Sequence, residues 1–127
     1  MSDQIRLLLA DDHAVVRSGL RMLLQAQPGM IIVGEAETGQ EAIRRVAELS
    51  PDAVLMDINL GGGMDGIETA IALKGRGAHR VVFMSGYEKE RLQKRIGRDY
   101  SPTALLFPKP IRMSDIDELD RVFREGA

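Results

Sequence analysis

Four short apolar runs in this chain each end in a polar or charged residue, and that regularity limits the fold more than any other feature. Leu7-Leu8-Leu9-Ala10 runs into Asp11-Asp12, Ala53-Val54-Leu55-Met56 into Asp57, and Val81-Val82-Phe83-Met84 into Ser85. Ala104-Leu105-Leu106-Phe107 is followed by Pro108 and then by Lys109-Pro110. Near-continuous apolar runs of this length match strands buried on both faces of a parallel sheet. In one such sheet their polar endings would gather along the carboxyl edge, where open α/β sheets place ligand sites.

The segments between the runs carry helical spacing. Val16, Leu20, Leu23 and Leu24 recur at helical intervals until Pro28-Gly29. Ile31-Ile32-Val33 then reads as a short second strand. Thr38 and Glu41 form a capping-box pair ahead of Ile43, Val46 and Ala47, a second helix that ends at Ser50-Pro51. After Asp57 a Gly61-Gly62-Gly63 turn leads to Asp65 and Glu68, another cap pair, before Ile67, Ala70 and Ile71; this helix runs up to Gly75 and Gly77. The segment from Glu88 to Arg98 has only Leu92 and Ile96 on an apolar stripe, which predicts the most loosely held helix. Ser114 is the expected cap of a last helix carrying Ile116, Leu119, Val122 and Phe123. Strict alternation of five strands and five helices predicts an α/β fold, a doubly wound parallel sheet with right-handed crossovers and helices on both faces.

At 127 residues and 44% hydrophobic content the chain suits one domain, 1–127, and it carries no internal repeat or linker. Its formal net charge of -2 gives no global field for nucleic acid or an anionic membrane, so no nucleic-acid contact is expected of this domain alone. The absence of cysteine removes disulfides, thiolate metal sites and a cysteine nucleophile together, and fits a reducing cytoplasm. Met1-Ser2-Asp3-Gln4 leads into an apolar stretch that meets Asp11 too soon for a signal peptide or a spanning helix.

Three acids brought together at Asp11, Asp12 and Asp57 would repel one another unless a cation sits among them. With only oxygen donors assigned, Mg²⁺ is the expected ion, and it leaves coordination positions for a phosphate oxygen. A carboxylate can attack a phosphoryl donor, and the transferred charge then needs a metal, a cation and a hydroxyl. Lys109 and Ser85 supply the last two.

These residues resemble the receiver domain of bacterial two-component response regulators along essentially the whole chain. The resemblance is carried by Leu9-Ala10-Asp11-Asp12-His13, Val54-Leu55-Met56-Asp57-Ile58-Asn59-Leu60, Met64-Asp65-Gly66-Ile67-Glu68, Ser85-Gly86 and Lys109-Pro110-Ile111. It implies a flavodoxin-like sheet of order 2-1-3-4-5, with Asp57 as the phosphoacceptor supplied by a histidine kinase or histidine phosphotransfer protein. It further implies that Asp11, Asp12 and Asp57 hold Mg²⁺ with the backbone carbonyl of Asn59. Lys109 would pair with the phosphoryl oxygens, the peptide before Pro110 would be cis, and Ser85 would be the switch hydroxyl. Asn59 and Tyr87 stand where the family sets the rate of phosphoryl loss. The domain would signal to a downstream protein partner or output domain rather than act as an enzyme.

Two positions depart from the family pattern. Leu106 stands where many receivers carry an aromatic residue that rotates inward on activation, and Phe107, as its strand neighbour, should face the other side of the sheet. The glycine-rich turn after Asp57 looks one residue longer than usual, which predicts a mobile loop.

Other readings remain. An aspartate-nucleophile phosphatase would also use an Asp, Mg²⁺, a hydroxyl and a lysine, but its second acid would fall at Asn59, which cannot carry a proton. A dinucleotide-binding module would put pyrophosphate where Asp11 and Asp12 lie. Within the receiver reading, a stand-alone phosphoryl-accepting protein competes with the input half of a DNA-binding regulator. The short tail after the last helix favours the former, and Ile5 to Asn59, which resembles receivers attached to helix-turn-helix output domains, favours the latter. Asp12 taken alone would be a helix N-cap, and His13 and His79 receive no role. Lys89, Arg91, Lys94, Arg95 and Arg98 read as a solvated helix face, and Met22, Met56 and Met84 as core filler.

Overall fold

The computed structural model describes residues 4–76 and 80–125. Met1, Ser2 and Asp3, and the expected helix end at Gly77 together with His79, lie outside the described residues. Strands β1 (Ile5–Ala10), β2 (Met30–Ala36), β3 (Ala53–Asp57), β4 (Arg80–Ser85) and β5 (Leu106–Pro108) alternate with helices α1 (Ala14–Gln25), α2 (Gly39–Leu49), α3 (Gly66–Lys74), α4 (Lys89–Asp99) and α5 (Met113–Arg124). The strands form one parallel sheet in the order β2-β1-β3-β4-β5.

Each central strand divides its residues between two apolar layers, as strand alternation requires. Leu8, Ala10, Val54, Met56 and Phe83 face α2, α3 and α4, where they meet Val46, Ile67 and Ile96. Leu7, Leu9, Leu55, Val82 and Met84 face α1 and α5, where they meet Leu20, Leu24, Ile116 and Leu119. Helices therefore cover both faces. Leu106 lies in the first layer and Phe107 in the second, so the two do point to opposite sides.

β2 is longer than Ile31-Ile32-Val33 implied, because the polar Glu35 belongs to it. Its register with β1 slips by one residue, from Leu7 opposite Ile32 to Leu8 opposite Gly34, which leaves Val33 as a bulge. β5 is shorter than its apolar run: Ala104 and Leu105 precede the strand.

Several helix ends form as expected and others do not. Asp65 and Glu68 make a reciprocal capping box at α3. At α2 Thr38 accepts from the Glu41 N–H, but the Glu41 carboxylate reaches back one residue further, to the Glu37 N–H. Ser114 does not cap α5. The helix begins two residues earlier, with Arg112 in the cap position, and the Asp115 carboxylate accepts from the Arg112 N–H at 2.9 Å. Asp12 does not cap α1, whose cap position is His13. Met22 is 73% exposed, because it lies off the face that Leu20 and Leu24 bury. Ile71 and Ala47 are likewise exposed. Arg95 is not merely solvated: its guanidinium meets Asp65 at 2.8 Å and so ties α4 to the start of α3.

Among the described residues no helix is long and apolar enough to cross a membrane.

Candidate functional site

The strand order reverses direction between β1 and β3, and the crevice at their carboxyl ends is the topological switch point of the sheet. Asp11 follows β1 and is fully buried. Its polar groups are all engaged. The N–H donates to the Ala36 carbonyl at 3.0 Å, and the carbonyl accepts from Arg17. Oδ1 accepts from the His13 N–H at 2.8 Å and Oδ2 from Lys109 Nζ at 3.0 Å.

Asp57 ends β3 and is nearly as buried. Lys109 Nζ donates to its Oδ2 at 3.1 Å and the Asn59 N–H to its Oδ1 at 3.2 Å. One ammonium thus bridges two buried carboxylates from different strands. Lys109 is held there by the end of β5, where its N–H donates to the Ser85 carbonyl at 2.8 Å and its peptide to Pro110 is cis.

The pair is electrostatically uneven. Burial pushes the Asp57 carboxyl above its ordinary pKa, and the nearby Asp11 adds to that; attraction to Lys109 and the hydrogen bonds from Lys109 and Asn59 only partly offset them. Burial works against the Lys109 charge too, but the hydrogen bond it donates to Asp11 and the charges of both carboxylates outweigh it, so its pKa is raised. The lysine draws on two anions, while Asp57 draws on one shared cation.

The remaining candidates stand around this core. Ser85, buried at the end of β4, donates its hydroxyl to the Tyr87 carbonyl at 2.9 Å and accepts from the Tyr87 N–H at 3.4 Å. Asn59 Nδ2 donates to the Tyr87 hydroxyl at 2.7 Å, so the loops after β3 and β4 are joined over the site. Of the glycine-rich turn, Gly61 pairs with Thr38 in an isolated parallel bridge, which tethers one end of it. Gly62 and Gly63 adopt φ of 83° and 103°, a conformation that favours glycine.

Asp12 projects at the open side of the crevice. Ligand atoms of Asp11, Asp12, His13 and Asp57 all lie within 4.8 Å of one another. His13, given no role by sequence, stands here with Nδ1 2.9 Å from Asp12 Oδ1. Its position directly after the acidic pair was the signal for that. Three carboxylates facing one ammonium leave negative charge uncompensated, and their oxygens suit a hard divalent cation. The donor set fits a metal.

Comparison with known proteins agrees with this arrangement. The family model for the response regulator receiver domain matches residues 7–118. The chain belongs to the response regulator receiver family. Among curated receiver-containing relatives, it is 55% identical over 64 residues to the transcriptional regulatory protein LiaR of Bacillus subtilis, covering 50% of this chain and 30% of that protein. It is 38% identical over 80 residues to the nitrate/nitrite response regulator NarL of Escherichia coli, covering 62% of this chain and 37% of that protein. The chain therefore spans well under half the length of these relatives. Among solved structures, a LuxR-family two-component response regulator from Aurantimonas is similar at TM-score 0.81 and 28% identity, over 97% of this chain and 86% of that one. The receiver fold and family read from the sequence are thus both found.

Proposed function

We propose that Asp57 of this receiver accepts a phosphoryl group from a phosphohistidine on a histidine kinase or histidine phosphotransfer protein. The observation that carries this reading is the Lys109 ammonium, held at 3.0 Å from Asp11 and 3.1 Å from Asp57 beside the acidic cluster. An Asp57 oxygen forms the new bond to phosphorus while the donor's P–N bond breaks, and the imidazole leaves with that electron pair. Mg²⁺ held by Asp11, Asp12, Asp57 and the Asn59 carbonyl would neutralise charge on the transferred group. Lys109 exchanges its contact with Asp57 Oδ2 for one with the phosphoryl oxygens. Ser85 releases the Tyr87 carbonyl and donates to the same group, drawing the β4–α4 loop with it. The domain assists its own phosphorylation and dephosphorylation and turns over no other substrate.

Borohydride reduction after treatment with acetyl phosphate and Mg²⁺ tests the assignment. The acyl phosphate is converted to an alcohol, and peptide mapping should place it at residue 57. Modification at Asp11 or Asp12 instead would contradict the reading.

The LiaR and Aurantimonas relatives, one named as a transcriptional regulator and the other as LuxR-family, favour a DNA-binding output for this receiver. In that reading residues 1–127 are the cytoplasmic input domain and contact with DNA belongs to the output domain. A reading frame that continues past Ala127 into a helix-turn-helix segment supports it; a stop codon there supports the stand-alone receiver.

A further inference from the structure

The corner that carries Asp11 and Asp12 is gripped from behind by α1. Arg17, whose side chain is 12% exposed, donates from Nε to Glu35 Oε1 at 2.9 Å. It also donates from Nη1 to the Asp11 carbonyl at 2.6 Å and from Nη2 to Glu37 Oε1 at 3.3 Å. Glu35 can meet it because of the bulge at Val33. The slipped register sets Glu35 opposite Leu9, on the α1 face of the sheet; unslipped, Glu35 would stand opposite Ala10 and face α2. The bulge, the two acids of the β2 end and Arg17 form one device.

We propose that Arg17 is a positioning residue for the cation site, an inference that rests on reading Asp11, Asp12 and Asp57 as that site. The peptide group is planar, so a hydrogen bond that holds the Asp11 carbonyl also fixes where the Asp12 N and Cα lie, the root from which its side chain reaches the site. The Asp12 carboxylate, a third exposed, contacts the exposed His13 ring, and the backbone is left to aim it. Three acceptors in three directions match the fixed fork of a guanidinium, which the single ammonium of lysine cannot reproduce. Groups that orient metal ligands from behind influence affinity without touching the ion.

Calorimetric titration of the whole chain with magnesium chloride tests this, alongside melting temperatures measured in EDTA. Arg17→Ala is expected to raise the magnesium dissociation constant about tenfold, within the usual range for removing a partner that orients a ligand. Arg17→Lys should show a smaller rise. Arg21→Ala, which removes the other arginine on Glu35 but no contact to Asp11, should leave magnesium binding unchanged even where it lowers the melting temperature. An unchanged constant in Arg17→Ala, or in Arg17→Lys if the alanine variant does not fold, overturns the proposal and leaves the magnesium reading intact. A loss in Arg21→Ala equal to that in Arg17→Ala also overturns it, and failure of the wild-type chain to bind magnesium overturns both.

Discussion

At the scale of single residues, the site works by making charge scarce and shared. The raised pKa of Asp57 has a stability consequence whose sign follows from linkage. The folded state holds this proton more tightly than the unfolded chain does. The stability contributed by Asp57 is therefore fully present below the ordinary carboxylate pKa and is lost as pH rises through the raised folded value. Asp57→Asn should accordingly melt above the wild type at neutral pH, with the difference shrinking as the pH is lowered toward 4. Thermal melts across that range in EDTA measure it, and a lower melting temperature for the variant at neutral pH would count against the account. Gly66 gives a steric counterpart. A Cβ there would run into the Asp57 carbonyl and sit 2.8 Å from the Ile58 Cα, both backbone atoms that cannot swing aside. Gly66→Ala should cost about 1–3 kcal/mol in denaturant unfolding, in the range of overpacked sites. Asp11, Asp57, Ser85 and Lys109 were legible because a buried parallel strand announces its own end. The grip of Arg17 and the Asn59–Tyr87 contact were not, since each joins residues whose nearness depends on the finished fold.

At the scale of elements, caps and inter-helix ties were read less well than strands. Serine ranks high among N-cap residues, which drew attention to Ser114, yet Arg112 takes the extended cap conformation and Asp115 supplies the acceptor. Asp115→Ala is expected to cost about 1 kcal/mol and Ser114→Ala far less, and chemical denaturation of the two variants checks that order. Arg95 looked solvated because its partner Asp65 belongs to another loop, and local charge patterning cannot reveal such a partner. Leu106 shows the opposite case: alternation alone assigned it and Phe107 to opposite layers, and they lie there. Leu106→Ala removes buried volume beside Phe83 and Ile96, so it should destabilise the fold by about 2–5 kcal/mol while keeping phosphorylation-dependent partner binding. Loss of that dependence in a folded variant would show that Leu106 relays the signal after all.

At the scale of the whole molecule, strict alternation and right-handed crossovers leave few ways to wind five strands, and the observed order sets the ends of β1 and β3 on either side of the switch point. The acids of the site therefore come from two strands that are far apart in sequence and paired only in the folded sheet, which couples cation binding to folding. A ligand at about a hundredfold excess over its dissociation constant adds about 2.7 kcal/mol to the stability of the state that binds it. Saturating Mg²⁺ should raise the melting temperature of the wild type, with a smaller rise in Asp12→Asn; equal shifts in both would remove Asp12 from the site. The central claim is phosphoryl acceptance at Asp57, and intact-mass measurement after incubation with acetyl phosphate tests it most directly. The wild type should gain one phosphoryl group with Mg²⁺ and none with EDTA, and Asp57→Asn should gain none in either; equal labelling of wild type and Asp57→Asn would contradict the account.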